Sequence, residues 1–397
     1  MAPGNLPHDL LFAYDFPPMG GGIARWMEEL TRGYPAGELR VSTGLLPGWE
    51  QSDATLPNLV DRVHVDSGRL KTVPGLLRWS RRAAVLARDP SARFAWCGNI
   101  RPAGYVAKWA FERTGLPYGI IVYGGDLLTI RSKTERSRFK REIYRPLLDA
   151  AAVYVAPSQY TAERCRELLR DLRLPAAAAR VRVVPLGTDP ARFAPDPAAG
   201  AAFRARRGLP DGRWLVTVAR LVAHKGIDSA IRLLAALVLQ CPELHYAVVG
   251  RGPYEAELRR LAESLGVGNR VHILTDVTDE ELPAAFASGE IYLGLSRLSG
   301  LDVEGFGIAL VEASATGLPV VAGASGGIAD AVADGESGIL VDPADHLQAT
   351  DAVRHLLGDP SLAAQIGSAG RARVLREFTW ERVVQHMRHI AIELGRR

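Results

Sequence analysis

The sequence predicts an α/β chain of two doubly wound domains, on three observations. Short apolar, β-branched or aromatic runs alternate with longer helical patterns from end to end, as in βαβ units whose parallel sheets are buried on both faces. A proline-rich break divides that alternation into two halves. The chain has 397 residues, 47% of them hydrophobic, which suffices for two cores, and a net charge of only +4 argues against disorder.

In chain order, strands are expected at residues 10–14, 40–46, 93–97, 118–123 and 153–156, then at 214–219, 245–250, 271–274, 291–296, 319–323 and 338–341. Helical patterns at 226–239 and 253–265 separate strands of the second half. Residues 188–211 gather Pro190, Pro195, Pro197 and Pro210 around an alanine-rich stretch and read as a linker. Near the end, Val383, Val384, Met387, Ile390, Ala391 and Leu394 recur at helical spacing, a final amphipathic helix.

Cys97, Cys165 and Cys241 are scattered and have neither metal-ligand nor redox spacing, so the expected compartment is the reducing cytoplasm. No apolar run approaches the roughly 20 residues of a bilayer span. The N-terminal stretch lacks a basic region and reads as a first core strand rather than a signal peptide. A pI near 9.0 suits anionic partners, among them nucleotide diphosphates, lipid headgroups and nucleic acid.

Three segments carry the chemistry. Gly20, Gly21 and Gly22 separate the first strand from a helix near Ile23; they allow either a plain tight turn or close backbone approach to a phosphate at a helix N-terminus. Arg25 stands where the dinucleotide pattern GxGxxG needs its third glycine. In WLVTVARLVAHKG, Arg220 and Lys225 follow a strand and precede a helix near Ile227, where two cations suit a diphosphate or form an ordinary solvated loop. Third is Glu304-Gly-Phe-Gly-Ile-Ala-Leu-Val-Glu312. Glu304 precedes the helix as a cap or a sugar-hydroxyl acceptor, and Glu312 is either exposed or held by a bound group.

Across nearly its whole length the chain resembles the retaining family 4 glycosyltransferases of GT-B fold, through FPPMGGGIA, RLVAHKG, VVGRGP, the Glu-x7-Glu segment and GGIADAVADGESGILVDP. The resemblance implies two Rossmann-like domains facing each other across a cleft. An acceptor-binding domain would span 1–188, completed by a returning helix at 380–397, and a nucleotide-sugar-binding domain 189–379. It implies a donor diphosphate held by Arg220, Lys225, Gly21, Gly22, Gly307 and Ile308. The donor sugar would be held by Glu304, Gly305 and Phe306, and the nucleoside by Glu312, Gly250 and Val277. The chain departs from the family where a His-Gly-x-Asp/Glu pattern is usual and Tyr123-Gly124-Gly125-Asp126 stands instead. Asp330 replaces a glutamate of the GG-x-x-Glu pattern. Glu304, Tyr123 and Asp126 are the catalytic candidates.

The expected reaction moves a hexosyl group from a UDP-, GDP- or ADP-sugar to a hydroxyl of a small-molecule, glycan or lipid-linked acceptor. No metal or other cofactor is expected, because Arg220, Lys225 and helix-terminal amides would stabilise the leaving phosphate. The competing readings are a sugar-nucleotide epimerase or hydrolase of the same fold, a dehydrogenase and a nucleic-acid-binding protein. The last is disfavoured by basic patches without interleaved aromatics. Basic segments at 76–88, with Trp79, and at 130–145 suit either a solvated helix face or peripheral contact with an anionic membrane.

Overall fold

The computed structural model describes residues 6–65, 72–300 and 302–396; residues 1–5 of the N-terminal stretch lie outside them. The chain forms two compact units, Met1–Pro185 with Trp380–Arg397, and Leu186–Thr379.

In the first unit, the described residues form a seven-stranded sheet of β1 (His8–Phe12), β2 (Leu39–Gly44), β3 (Leu59–Val63), β4 (Ala92–Cys97), β5 (Tyr118–Ile121), β6 (Val153–Ala156) and β7 (Val181–Val183). The order is β3-β2-β1-β4-β5-β6-β7 and every pairing is parallel. Leu10 pairs with Arg40 on one side and Ala95 on the other. Trp96 pairs with Gly119, where a Cβ would come within 2.6 Å of the indole ring, so the sheet needs glycine there. The edge strands β3 and β7 escaped the sequence pattern. β3 carries Asp61 and Arg62 with Leu59 66% exposed, and β7 is only three residues long.

The helix Trp380–Leu394 returns to this unit and packs on the Gly22–Gly33 helix and β4. Val383, Val384, Met387, Ile390 and Ala391 are buried, and Gly33 leaves room for Val384, whose methyl would lie 2.6 Å from an added Cβ. Arg182 grips Glu393 through two hydrogen bonds of 2.6 Å each, and Arg388 pairs with Glu38.

Six strands among the described residues of the second unit form a parallel sheet: β8 (Arg213–Val218), β9 (Leu244–Val249), β10 (Val271–Leu274), β11 (Ile291–Gly294), β12 (Val320–Gly323) and β13 (Ile339–Val341). Their order is β10-β9-β8-β11-β12-β13. Each sheet therefore reverses its winding once, between β1 and β4 and between β8 and β11. The carboxyl ends of those strands are where a doubly wound sheet offers a crevice to a ligand.

The expected linker at 188–211 is corrected. It contains the helix Pro197–Arg206, with Pro197 in the first turn and the Asp196 side chain accepting the Ala199 N–H at 2.8 Å. Proline there gives up no helical hydrogen bond, so its density did not signal an irregular segment. Phe203 is fully buried, and Gly200 lies against the Ala287 carbonyl.

Candidate active site

Arg220 and Lys225 emerge after β8 at the reversal of the second sheet. A cavity of about 180 Å³ is lined there by Thr217–Arg220, Lys225, Tyr292, Gly294, Ser296, Glu304 and Gly307–Leu310. The short turn Ala223–Lys225 is locked from below. Arg297 N–H donates to the His224 carbonyl at 2.8 Å, and Gly226 takes φ +67° where a Cβ would sit 1.8 Å from the Leu295 carbonyl oxygen. Arg297 is in turn held by a fork to Asp228, both bonds 2.9 Å. This lock aims Lys225 Nζ into the cavity, where it pairs with Glu304 Oε2, both side chains being 18% exposed. His224 is buried, and burial together with the Lys225 charge holds its imidazole below the usual pKa and hence neutral near pH 7. Arg220 is exposed.

Glu304 owes its position to the GGIADAV segment. Its carbonyl accepts the Gly327 N–H at 2.9 Å, and Gly326, at φ +62°, would drive a Cβ to 2.2 Å from the same oxygen. Gly307, at φ +93°, then turns the chain into the helix Ile308–Ala315, whose first residues line the cavity. The amides of such a first turn have no partner within their own helix and carry the positive end of its dipole. They suit an anion beside Lys225.

Of the two readings for Glu312, exposure is excluded, since the residue is 3% exposed. Phe306 was expected at the donor sugar, and its side chain is turned away from solvent. Its side chain lies in the core, edge-on to Phe378 at 5.6 Å, which leaves only its backbone for a ligand. Gly305 is half-buried between Glu304 and Phe306. Gly250 closes β9 with φ +144° against the Ala219 carbonyl, and Val277 is half-buried in a cluster with Phe203, Val249 and Ala285. Glu312, Gly250 and Val277 are not among the residues lining the cavity.

In the first unit, Gly20, Gly21 and Gly22 are exposed after β1, with open space where each Cβ would be, and Gly21 has φ +121°. Tyr123 precedes the helix Gly124–Glu135, and its phenol donates to the Gly98 carbonyl at 3.0 Å, edge-on to Trp26. Burial first, then the charges of Asp126 and Asp15, pushes its pKa far up, so the phenol stays neutral.

Asp126 belongs to a cluster the sequence reading missed. Asp15 lies beyond β1, with Asn99 and Arg101 beyond β4. Asn99 donates to Asp15 at 3.1 Å and accepts the Ala103 N–H at 3.1 Å. Burial and the Asp15 charge raise the Asp126 pKa to about 6, against the pull of Arg101. The signal was present in YDFPP and CGNIRP, polar residues immediately after two apolar strands.

The membrane reading of residues 76–88 is corrected for Trp79, which is fully buried and donates to Ser42 Oγ at 3.1 Å. Arg82 of the same helix grips Asp61. No helix among the described residues is long and apolar enough to cross a membrane.

A family model described as "Glycosyl transferases group 1" matches residues 201–373, and one described as "Glycosyltransferase Family 4" matches residues 20–192. The chain is 35% identical over 379 residues, 94% of each sequence, to the GDP-mannose-dependent alpha-(1-6)-phosphatidylinositol monomannoside mannosyltransferase of Mycolicibacterium smegmatis. It is 30% identical to the D-inositol 3-phosphate glycosyltransferase of Acidothermus cellulolyticus, over 76% of this chain and 68% of that one. Among solved structures, Anabaena HepE in complex with UDP and glucose superposes with a TM-score of 0.77 at 21% identity, covering 97% of this chain and 99% of that one. The chain belongs to the family 4 glycosyltransferases of GT-B fold and is a hexosyltransferase that uses a nucleotide-sugar donor.

Proposed function

We propose that this protein transfers a mannosyl group from GDP-mannose to a hydroxyl of an inositol-bearing phospholipid acceptor, with retention of configuration and without a metal or other cofactor. The observation that carries the reading is the convergence of Arg220, Lys225, Glu304 and a helix N-terminus on one cavity. The choice of donor and acceptor is supported by full-length similarity to the mannosyltransferase named above. In this reading Arg220, Lys225 and the amides of Ile308 and Ala309 neutralise the diphosphate as its bond to the anomeric carbon breaks. Glu304 accepts from hydroxyls of the mannose and Glu312 from those of the ribose, with Gly250 and Val277 beside the nucleoside. Gly305 and Phe306 offer backbone groups to the sugar. Gly21 and Gly22 keep the phosphate-binding role that the family resemblance implies for their amides, and Tyr123 and Asp126 remain the catalytic candidates of the first unit. The acceptor oxygen bonds to the anomeric carbon on the face the phosphate leaves, and its proton passes to a departing phosphate oxygen. A lipid acceptor would bring the protein to the inner face of the membrane as a peripheral, cytoplasmic enzyme.

The test is a thermal-shift panel of GDP, UDP and ADP, followed by incubation of GDP-mannose with vesicles containing phosphatidylinositol monomannoside. At a hundred times its Kd, GDP should stabilise the fold by about 2.7 kcal/mol. The product should carry an α-mannosyl linkage and form equally well in EDTA. A response to UDP or ADP alone would overturn the donor assignment. Rapid release of free mannose with no glycolipid would favour hydrolysis instead.

A further inference from the structure

We propose that Arg101, Lys133 and Lys140 form a subsite for a phosphate group carried by the acceptor, an inference that rests on the transfer reading above. The three cations come from three elements of the first unit. Arg101 follows β4, Lys133 lies in the last turn of the Gly124–Glu135 helix, and Lys140 in the first turn of the Arg138–Asp149 helix. The guanidinium of Arg101 sits over the ring of the buried Tyr144 at 5.2 Å, which fixes it against the second of those helices. The two helices pack on each other. Only Arg136 and Ser137 separate the helix that carries Lys133 from the one that carries Lys140, which keeps the two lysines close, and Arg101 above all, with burial and Lys140 adding to it, presses the Lys133 ammonium below the usual lysine pKa.

Neighbouring cations are treated differently. Arg131 pairs with Glu135 at 3.1 Å and with Glu167 and Asp171 at 3.3 Å, Arg145 pairs with Glu142 at 3.5 Å, and Arg141 donates to the Asp171 carbonyl. No ion pair joins Arg101, Lys133 or Lys140 to a carboxylate among the described residues. Gathered like charges repel, and a phosphate removes that cost while accepting hydrogen bonds from all three. Arg101 is also close enough to Asp126 to draw its carboxyl down. Arg101 therefore borders the Asp15–Asp126 pair, whose carboxylates can accept from hydroxyls. A polyol phosphate would meet a fitting partner at each end.

The test compares the wild type with the triple variant Arg101→Gln/Lys133→Gln/Lys140→Gln, using Arg81→Gln/Arg88→Gln as a control for loss of surface charge. Binding is measured for D-inositol 3-phosphate against myo-inositol, and for vesicles with and without phosphatidylinositol. The triple variant should bind the phosphorylated probe at least about tenfold more weakly, the scale of one lost charge-assisted hydrogen bond. GDP affinity and melting temperature should stay at wild-type values. Loss confined to the soluble probe identifies a free phosphate as the ligand, and loss confined to the vesicles a lipid headgroup. Wild-type binding to neither probe, or equal weakening in the control, would overturn the subsite. Transfer of mannose by a wild type whose triple variant matches it in both arms would sink the subsite and leave the proposed function standing. Binding of the probe without transfer of mannose would do the reverse.

Discussion

Replacing Gly226 by alanine should unfold the lock beneath the donor cavity, and its cost can be worked out from two separable effects. The first is backbone strain at φ +67°, roughly 1–2 kcal/mol for a residue with a Cβ. It is partly offset by about 0.4–1 kcal/mol of lost freedom in the unfolded chain. The second is overlap, because the new Cβ would stand 1.8 Å from the Leu295 carbonyl oxygen and 2.6 Å from its carbon. Backbone on both sides must shift to relieve it, which brings the total to about 3 kcal/mol or more. Gly208 is the internal control, since it has φ +63° but nothing within 4 Å of an added Cβ. Gly208→Ala should therefore cost only about 1 kcal/mol, by strain alone. Urea denaturation of both variants measures the difference, and GDP titration of the folded fraction measures the displacement of Lys225. Equal losses in the two variants, or unchanged GDP affinity in a folded Gly226→Ala protein, would refute the claim that this glycine sets the cation.

Lys225→Ala and Glu312→Ala should each weaken GDP binding by about tenfold or more, whereas Glu304→Ala should mainly lower turnover. Titration calorimetry beside steady-state kinetics would expose a shared role if all three lost nucleotide affinity equally. The Asp126 carboxyl, raised from 3.8 to about 6 by burial and Asp15, makes the fold resist its ionisation. Its destabilising effect is absent below pH 3.8 and complete above about 6, so Asp126→Asn should raise stability at pH 7 by at most about 3 kcal/mol and change nothing at pH 3.5. An equal gain at both pH values would point to packing rather than charge. His272, which burial and then His245 lower to about 4, should behave in the opposite direction. Stability is present above pH 6.5 and is lost as the pH falls toward 4, and His272→Asn should flatten that limb of the melting curve against pH. An unchanged slope would contradict it.

The legible parts of the fold were those whose physics is local. Strand β6 appears at the residues its apolar run indicated, because a strand buried on both faces must be a continuous apolar run. The edge strands β3 and β7 were invisible because half-solvated residues need no such pattern. Pro197 was misread because one residue type serves both to break a chain and to start a helix, and only the cap at Asp196 distinguishes the two.

The same division runs through the site. Sequence by itself determined the α/β class and the two domains, and it marked Arg220 and Lys225 after a strand and Glu304 and Glu312 around a helix start, because charged residues stand out against apolar surroundings. Tertiary structure decided their arrangement. It joined Lys225 to Glu304 across 79 residues, placed Gly326 and Gly327 behind the Glu304 carbonyl and buried Glu312. It also turned Trp79 and Phe306 inward and drew Asp15, Asn99 and Arg101, from two loops, and Asp126, from the first turn of a helix, to one sheet edge. Spacing along a chain cannot report such meetings, since parallel strands joined through helices place residues far apart in sequence at the same carboxyl edge.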